Sequence, residues 1–277
     1  MQVIAIIASS KDLAGINIRN NLLELFNFQK TNEKFNGNDV YQFSKIKNKT
    51  IKSYLINDGL IFAENIDKKI NADFFIFASK HRSKENTPSF TAHPIGNFGS
   101  ADLGGREKTL CFSSAVLLKN LFVGLGNAGM EKPDYEITLE ATHHGPYVEK
   151  PAVFIEIGST EKEWSGRENG EIIAKAIINA LSNEGNSHKI AVGIGGPHYC
   201  SNFNKILLRT DIAVSHICPK YHLQDLNENL IKQSMEKTAE KVNFILLDWK
   251  GLGKEKQRIL DILKNLSVEI KKTEQIL

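Results

Sequence analysis

"PAVFIEIGSTEKEWSGRENGEIIAKAIINALSNEGNSHKIAVGIGG", residues 151–196, holds the pattern that decides the fold. Val153 to Ile157 is a short, nearly continuous apolar run, the composition of a strand buried on both faces. From Gly170 to Leu181 the apolar residues Ile172, Ile173, Ala176, Ile177, Ala180 and Leu181 recur at helical spacing and form one stripe. Ile190 to Ile194 is a second buried strand, closed by glycines. Strand, helix and strand in succession predict a parallel crossover unit.

The same alternation extends outward. Buried strands are expected at Val3 to Ala8, Phe74 to Ala78, Ile137 to Ala141, Ile212 to Val214 and Phe244 to Leu247. Helices are expected at Ala14 to Phe26, Phe112 to Leu125, Leu226 to Val242 and Lys254 to Leu266. Together they predict an α/β chain with a mostly parallel or mixed sheet flanked by helices on both faces. Asn57-Asp58-Gly59 reads as a hairpin turn, and the Asn- and Lys-rich segment from Asn27 to Lys52 as a solvated excursion. With 277 residues, 41% of them hydrophobic, the chain can bury one large core, so a single domain over 1–277 is expected.

A net charge of +3 and a pI near 8.6 allow a polyanionic partner, but the basic residues are spread along the chain and do not by themselves predict RNA binding. Aromatics interleaved with Lys or Arg, as in single-strand readers, are not evident, which argues against a purely non-catalytic RNA-binding protein. The start "MQVIAIIASS" lacks the basic flank of a signal peptide and no long uncharged apolar run follows, so no membrane partner is expected. Cys111, Cys200 and Cys218 are odd in number and form no C-x-x-C pair. That fits a reducing cytoplasm and excludes a thiolate zinc knuckle. Cys200 and Cys218 each lie two residues beyond a histidine, which raises a Cys-His nucleophile, but a buried inert thiol is the plainer expectation.

The polar chemistry collects where the strands end, which is where open α/β sheets bind ligands. Five of the eight histidines, His81, His93, His143, His144 and His198, fall in or near such places. His216 ends "DIAVSH" or lies within that strand; His188 and His222 read as surface residues. Convergent neutral imidazoles suit zinc, with His81, His93, His143 and His198 as the expected ligands. In "EATHHGP", residues 140–146, strand alternation sets Glu140 and His144 on one side and His143 on the other. Unless two metals share the site, one of the pair ligates and the other does not; His143 is the favoured ligand, and His144 forms an acid-base or orienting pair with Glu140. Glu140 and Glu156 stand on strands that otherwise read as buried, so a satisfied core carboxylate and a site role are both open. "GIGGPH" lacks the Lys-Ser/Thr pair of a phosphate loop; Gly193, Gly195 and Gly196 support only a tight loop whose backbone can approach a ligand.

The stretches "HRSKENTPSFTAHPIGN", "LEATHHGP", "PAVFIEIGSTEKEW", "GIGGPHY", "SHICPKY" and "LLDWKGL", in that order, resemble the zinc-dependent D-aminoacyl-tRNA deacylases of archaea and plants. The resemblance spans nearly the whole chain. It implies a cytoplasmic hydrolase that acts on tRNA mischarged with a D-amino acid, holds two zinc ions per chain, and has a fold similar to peptidyl-tRNA hydrolases and zinc carboxypeptidases; a monomer with no DNA partner is expected beside it. Under it, Glu140, His144 or Glu156 serves in proton transfer, and Ser83, Thr91, Asn97, Gly195 and Gly196 are candidates for holding the aminoacyl group and ribose. A zinc amidohydrolase or carboxypeptidase-like enzyme acting on a small acyl compound would use the same histidines, but would work without tRNA.

Overall fold

The computed structural model describes residues 1–183 and 187–277. Its strands are β1 (Gln2–Ser9), β2 (Gln29–Phe35), β3 (Asn38–Phe43), β4 (Lys49–Ile56), β5 (Phe74–His81), β6 (Ser89–Pro94), β7 (Gly96–Asn97), β8 (Thr109–Leu110), β9 (Glu136–Leu139), β10 (Ala152–Gly158), β11 (Lys189–Ile194), β12 (Ile212–Cys218), β13 (Phe244–Leu247) and β14 (Glu269–Lys272). The α-helices are α1 (Leu13–Leu25), α2 (Ala115–Ala128), α3 (Glu161–Ser165), α4 (Arg167–Ser182), α5 (Ser201–Arg209), α6 (Glu228–Glu236) and α7 (Lys256–Lys264).

The strands form a mixed eight-stranded sheet, β2-β3-β4-β1-β5-β10-β6-β9, and a parallel four-stranded sheet, β12-β11-β13-β14. The opening stretch therefore spans both: β10 lies in the large sheet, β11 in the small one, and α4 carries the chain between them. The stripe Ile172, Ile173, Ala176 and Ile177 is buried in an apolar cluster that includes Ile6 and Ile155 of the large sheet and Val214 and Leu246 of the small one. On the other face of the large sheet, Ile7, Phe77 and Phe154 pack against Leu60, Ile66 and Ile70, from 3₁₀ turns and loops. The helices α6 and α7 cover the outer face of the small sheet through Leu230, Ile231, Ile259 and Leu263.

Local signals explain most boundaries. Ser114 caps α2 by accepting from Leu117 N, so that helix begins later than Phe112. Asn227 caps α6 by accepting from Leu230 N. Asp12 caps α1 through one carboxylate oxygen on Gly15 N at 2.9 Å, while the other accepts from Ser79 Oγ and Lys80 N, both at 3.1 Å. One residue thus starts a helix and fixes the end of β5. Gly15 lets α1 sit close to that strand, since a Cβ there would lie 2.6 Å from the Ala78 carbonyl oxygen.

Two expectations are corrected. Asn27 to Lys52 is not an excursion: it holds β2, β3 and the start of β4, with Val40 and Ile51 buried. Its hairpin turn is Asn36-Gly37, both left-handed at φ 51° and 80°. Asn57-Asp58-Gly59 is not a hairpin. Both edges of β4 are already paired, to β3 and to β1, so the chain leaves the sheet into the 3₁₀ turn Leu60–Phe62. Four further strands were not expected from the sequence: β6, which is antiparallel to β10, the short pair β7 and β8, and β14.

Candidate metal centre at the sheet junction

The segment after β9 joins the two sheets. Glu140 N donates to Ala92 O of β6, Ala141 N to His198 O beyond β11, and Thr142 N to Ile217 O of β12. Backbone bonds to both sheets thereby fix the side chains of Glu140, His143 and His144. Beside them lies a cavity of about 520 Å³, lined by His81, Glu140, His143, His144, Glu156 and His198, with Ser9, Lys11, Asp12, Ser79, Lys80, Arg82 and Leu103 around them. Residues 59–62 complete its wall. A cavity at strand exits, with convergent polar groups, is the expected form of a small-ligand site.

His81 is the last residue of β5, and His93 and Glu156 lie on the adjacent strands β6 and β10. Glu140 has no exposure; it accepts from His198 Nε2 at 2.9 Å and faces His81 Nδ1 at 3.2 Å and His143 Nε2 at 3.7 Å. Burial opposes its charge, but the hydrogen bonds from His198 and His81 hold its carboxyl well below the usual range. Burial likewise opposes the charge of His81, yet Glu140 and Glu156 push it up to about 11. Glu156 has longer partners, His81 Nδ1 at 3.7 Å and His93 Nε2 at 3.8 Å. Its burial, reinforced by the Glu140 charge, raises it to about 7 against the hydrogen bond from His81.

Three imidazoles share one orientation device. The Nδ1 atoms of His93, His143 and His144 lie 3.0, 2.8 and 2.6 Å from the carbonyl oxygens of Pro94, Ala141 and Gly145. A carbonyl can only accept, so each Nδ1 carries the proton and each Nε2 keeps a lone pair. Burial, then neighbouring imidazoles, lowers His143 and His144 to about 3 and His93 well below its ordinary value. All three are neutral, and the buried His93 Nε2 has no hydrogen-bond partner. This donor set fits a divalent metal: neutral imidazoles oriented by backbone carbonyls. Among the described residues, three groups have ligand atoms within 4.8 Å of one another: His93, His143 and His144; Glu140, His143 and His198; His81, Glu140 and Glu156.

The alternation drawn for residues 140–144 does not hold. The strand β9 ends at Leu139, and His144 takes a left-handed backbone with φ 45°. That twist brings the rings of His143 and His144 to 4.3 Å between centroids. Glu140 meets His143, and His144 stands with His93, at 4.8 Å between ring centroids.

Ser83, Thr91, Asn97, Gly195 and Gly196 do not line the cavity. Ser83 Oγ lies 3.1 Å from Ser159 Oγ. Thr91 is buried opposite Glu156 in the ladder, its hydroxyl without a partner. Asn97 donates to the carbonyls of Gly104 and Arg106, shaping the loop that carries Leu103. Gly195 and Gly196, at φ 99° and 84°, pack on Asp248 and Gly251. His216 lies inside β12, its ring between Thr142 Oγ1 and the Cys111 carbonyl. His188 and His222 are half-buried.

Sequence reasoning overlooked Tyr199, Tyr221 and Asp12. Tyr199 bonds His81 Nε2 at 3.1 Å and Tyr221 bonds His198 Nδ1 at 2.8 Å. Both stand at the ends of the quoted "GIGGPHY" and "SHICPKY", so the signal was in the words already singled out.

The sequence profile of a family described as D-aminoacyl-tRNA deacylase matches residues 68–271. The chain is 38% identical over 268 residues to the D-aminoacyl-tRNA deacylase of Thermococcus kodakarensis, covering 95% of this chain and 97% of that one. It is 33% identical over 277 residues to the enzyme of the same name from Archaeoglobus fulgidus, covering 98% and 96%. Its fold is similar to the crystal structure of a conserved protein of unknown function, AF0625, with a TM-score of 0.89, 32% identity, and 99% and 96% of the two chains covered.

Proposed function

The chain belongs to the D-aminoacyl-tRNA deacylase family, and from that premise we propose that it hydrolyses the ester of D-aminoacyl-tRNA to free D-amino acid and tRNA, with zinc as cofactor. The observation that carries the cofactor reading is the set of neutral imidazoles, His93, His143 and His144, whose ligand atoms lie within 4.8 Å of one another and whose Nδ1 atoms are held by backbone carbonyls. His93, His143 and His144 would hold one ion, and Glu140 and His198 would contribute to a second, since the single free lone pair of His143 can serve only one. When bound, zinc acts as a Lewis acid that polarises an ester carbonyl and makes water a competent nucleophile near neutral pH.

The chain's own groups divide the remaining work. Glu140 accepts from His198 and faces His81 and His143, so it orients these rings and balances the charge of His81. Glu156 is the better proton acceptor, because its contacts are long and its affinity for a proton lies near neutrality. Tyr199 and Tyr221 fix the rings of His81 and His198. The reading of 1–277 as one catalytic domain is supported by the apolar cluster shared between the two sheets. A cytoplasmic monomer without DNA or membrane partners belongs to the same proposal; no helix among the described residues is long and apolar enough to cross a membrane.

The purified protein should deacylate D-tyrosyl-tRNA and leave L-tyrosyl-tRNA intact, as read by release of labelled amino acid. Equal hydrolysis of both, or hydrolysis only of small acyl compounds without tRNA, would favour a general zinc hydrolase instead.

The cysteines take no part. Burial pushes Cys111 up to about 12 and Cys200 and Cys218 well above the ordinary thiol range, so none supplies a thiolate. Cys200→Ala and Cys218→Ala should each keep deacylation within about threefold of the parent. A ~1000-fold loss in a folded, zinc-loaded variant would instead install a Cys-His mechanism.

A further inference from the structure

The mouth of the cavity has two chemically distinct sides. On one stand Phe62 and Leu103, 61% and 57% exposed although both line the cavity. On the other are the cations Lys11, Lys80 and Arg82. A large aromatic ring and a leucine open to water beside a polar site offer a ligand an apolar face.

Both sides are held rigidly against the histidines. The Leu103 carbonyl accepts from Gly145 N at 3.1 Å, one residue beyond His144. A Cβ on Gly104 (φ 79°) would lie 2.0 Å from the Ile61 carbonyl oxygen and 3.4 Å from the Phe62 ring, so the loop bearing Leu103 packs directly on the turn bearing Phe62. Glu64 pins both segments, accepting from Gly105 N at 2.9 Å and Tyr147 N at 3.1 Å. Opposite, the Arg82 guanidinium and the Lys80 ammonium sit 4.8 and 5.5 Å from the Trp164 ring centre, and Trp164 donates its indole N–H to the His81 carbonyl.

We propose that this mouth is a subsite for the 3′-terminal adenosine of tRNA, with the adenine stacked on Phe62 against Leu103 and the adjoining phosphates on Lys11, Lys80 and Arg82. The inference rests on the deacylase reading above. In that substrate the scissile ester sits on the terminal ribose, so base and phosphate lie one sugar away from the bond being cut. An aromatic face packed on the loop beside His144, and cations on the Trp164 that bonds His81, supply one surface for the base and another for the phosphates. Stacking is tolerant of base identity, and the cations supply attraction to the backbone.

With zinc-loaded full-length protein, Phe62→Ala should raise KM for D-tyrosyl-tRNA by about 10- to 100-fold, the range for losing one base–aromatic stack, with little change in kcat. Phe62→Trp should restore it. The rise should be the same for D-alanyl-tRNA, since the contact is to the nucleotide. In parallel, an uncharged RNA hairpin ending in CC-2-aminopurine should be quenched on binding the parent protein and Phe62→Trp, but not Phe62→Ala. An unchanged KM and unchanged quenching in Phe62→Ala overturn the subsite. A KM rise confined to D-tyrosyl-tRNA also overturns it, by assigning Phe62 to the amino-acid side chain. If the parent protein leaves D-tyrosyl-tRNA intact, the deacylase reading fails, and quenching alone decides whether the mouth binds a terminal base.

Discussion

Metal-free protein is expected to lose deacylation by about a thousandfold or more, and zinc is expected to restore it. Metal catalysis supplies several kcal/mol of transition-state stabilisation, and each ~1.4 kcal/mol is a decade in rate. The other cations of the cavity are side chains, Lys11, Lys80, Arg82 and a His81 held charged by Glu140 and Glu156, and none of them supplies the Lewis acidity of a metal. The fold itself should survive chelation. The imidazoles of His93, His143 and His144 are each anchored through Nδ1 to a backbone carbonyl, and the surrounding strands are apolar and buried without help from an ion. Circular dichroism should therefore be nearly unchanged while turnover disappears, and zinc content measured alongside should track activity. Full turnover in protein shown to be free of divalent metal would remove zinc from the mechanism and leave the cluster as a structural polar network.

How far the molecule was legible depended on what each segment packs against. Val3 to Ala8, Phe74 to Ala78, Val153 to Ile157 and Phe244 to Leu247 are apolar on both faces, and all lie within observed strands. The strand β6 escaped notice because Ser89, Thr91 and His93 are polar yet buried, with Thr91 paired to Glu156 of β10, so the run lacks a continuous apolar pattern. The β2–β3 hairpin was hidden for the opposite reason. The edge strand β2, "QKTNEKF", is polar and largely exposed, which blunts edge-to-edge association but removes the apolar alternation that marks a strand. Its Asn36-Gly37 turn was readable, and the more conspicuous Asn57-Asp58-Gly59 drew the assignment instead. The histidines were found because the apolar runs stop at them. Their mutual arrangement was not readable, since it depends on a left-handed residue at His144 and on backbone bonds from residues 140–142 to two sheets remote in sequence. Loop residues chosen for substrate contact, such as Asn97 and Gly196, proved to shape the loops beside the cavity rather than line it.

Among the imidazoles, His143 should be the least replaceable. It belongs to two of the candidate metal groups, with His93 and His144 on one side and Glu140 and His198 on the other, whereas His144 and His198 each belong to one. Its one free lone pair can serve either group but not both at once, so His143→Ala is expected to cost one ion whichever group it serves and to cut deacylation by about a thousandfold or more. His144→Ala and His198→Ala should each weaken a single position, so that roughly one equivalent of zinc is retained at saturating metal. This replaces the expectation from strand alternation, in which His143 alone would bind metal and His144 would pair with Glu140. The three variants should fold alike, because in each the truncated ring borders the cavity and leaves the apolar cluster intact. Metal analysis by mass spectrometry and single-turnover deacylation, with thermal unfolding as the check on folding, separate the possibilities. Loss of the same zinc from His143→Ala and His144→Ala, with His198→Ala unaffected, would reduce the centre to one ion held by His93, His143 and His144. Full zinc and full turnover in His143→Ala would mean that the two adjacent imidazoles serve the turn between the sheets and nothing more.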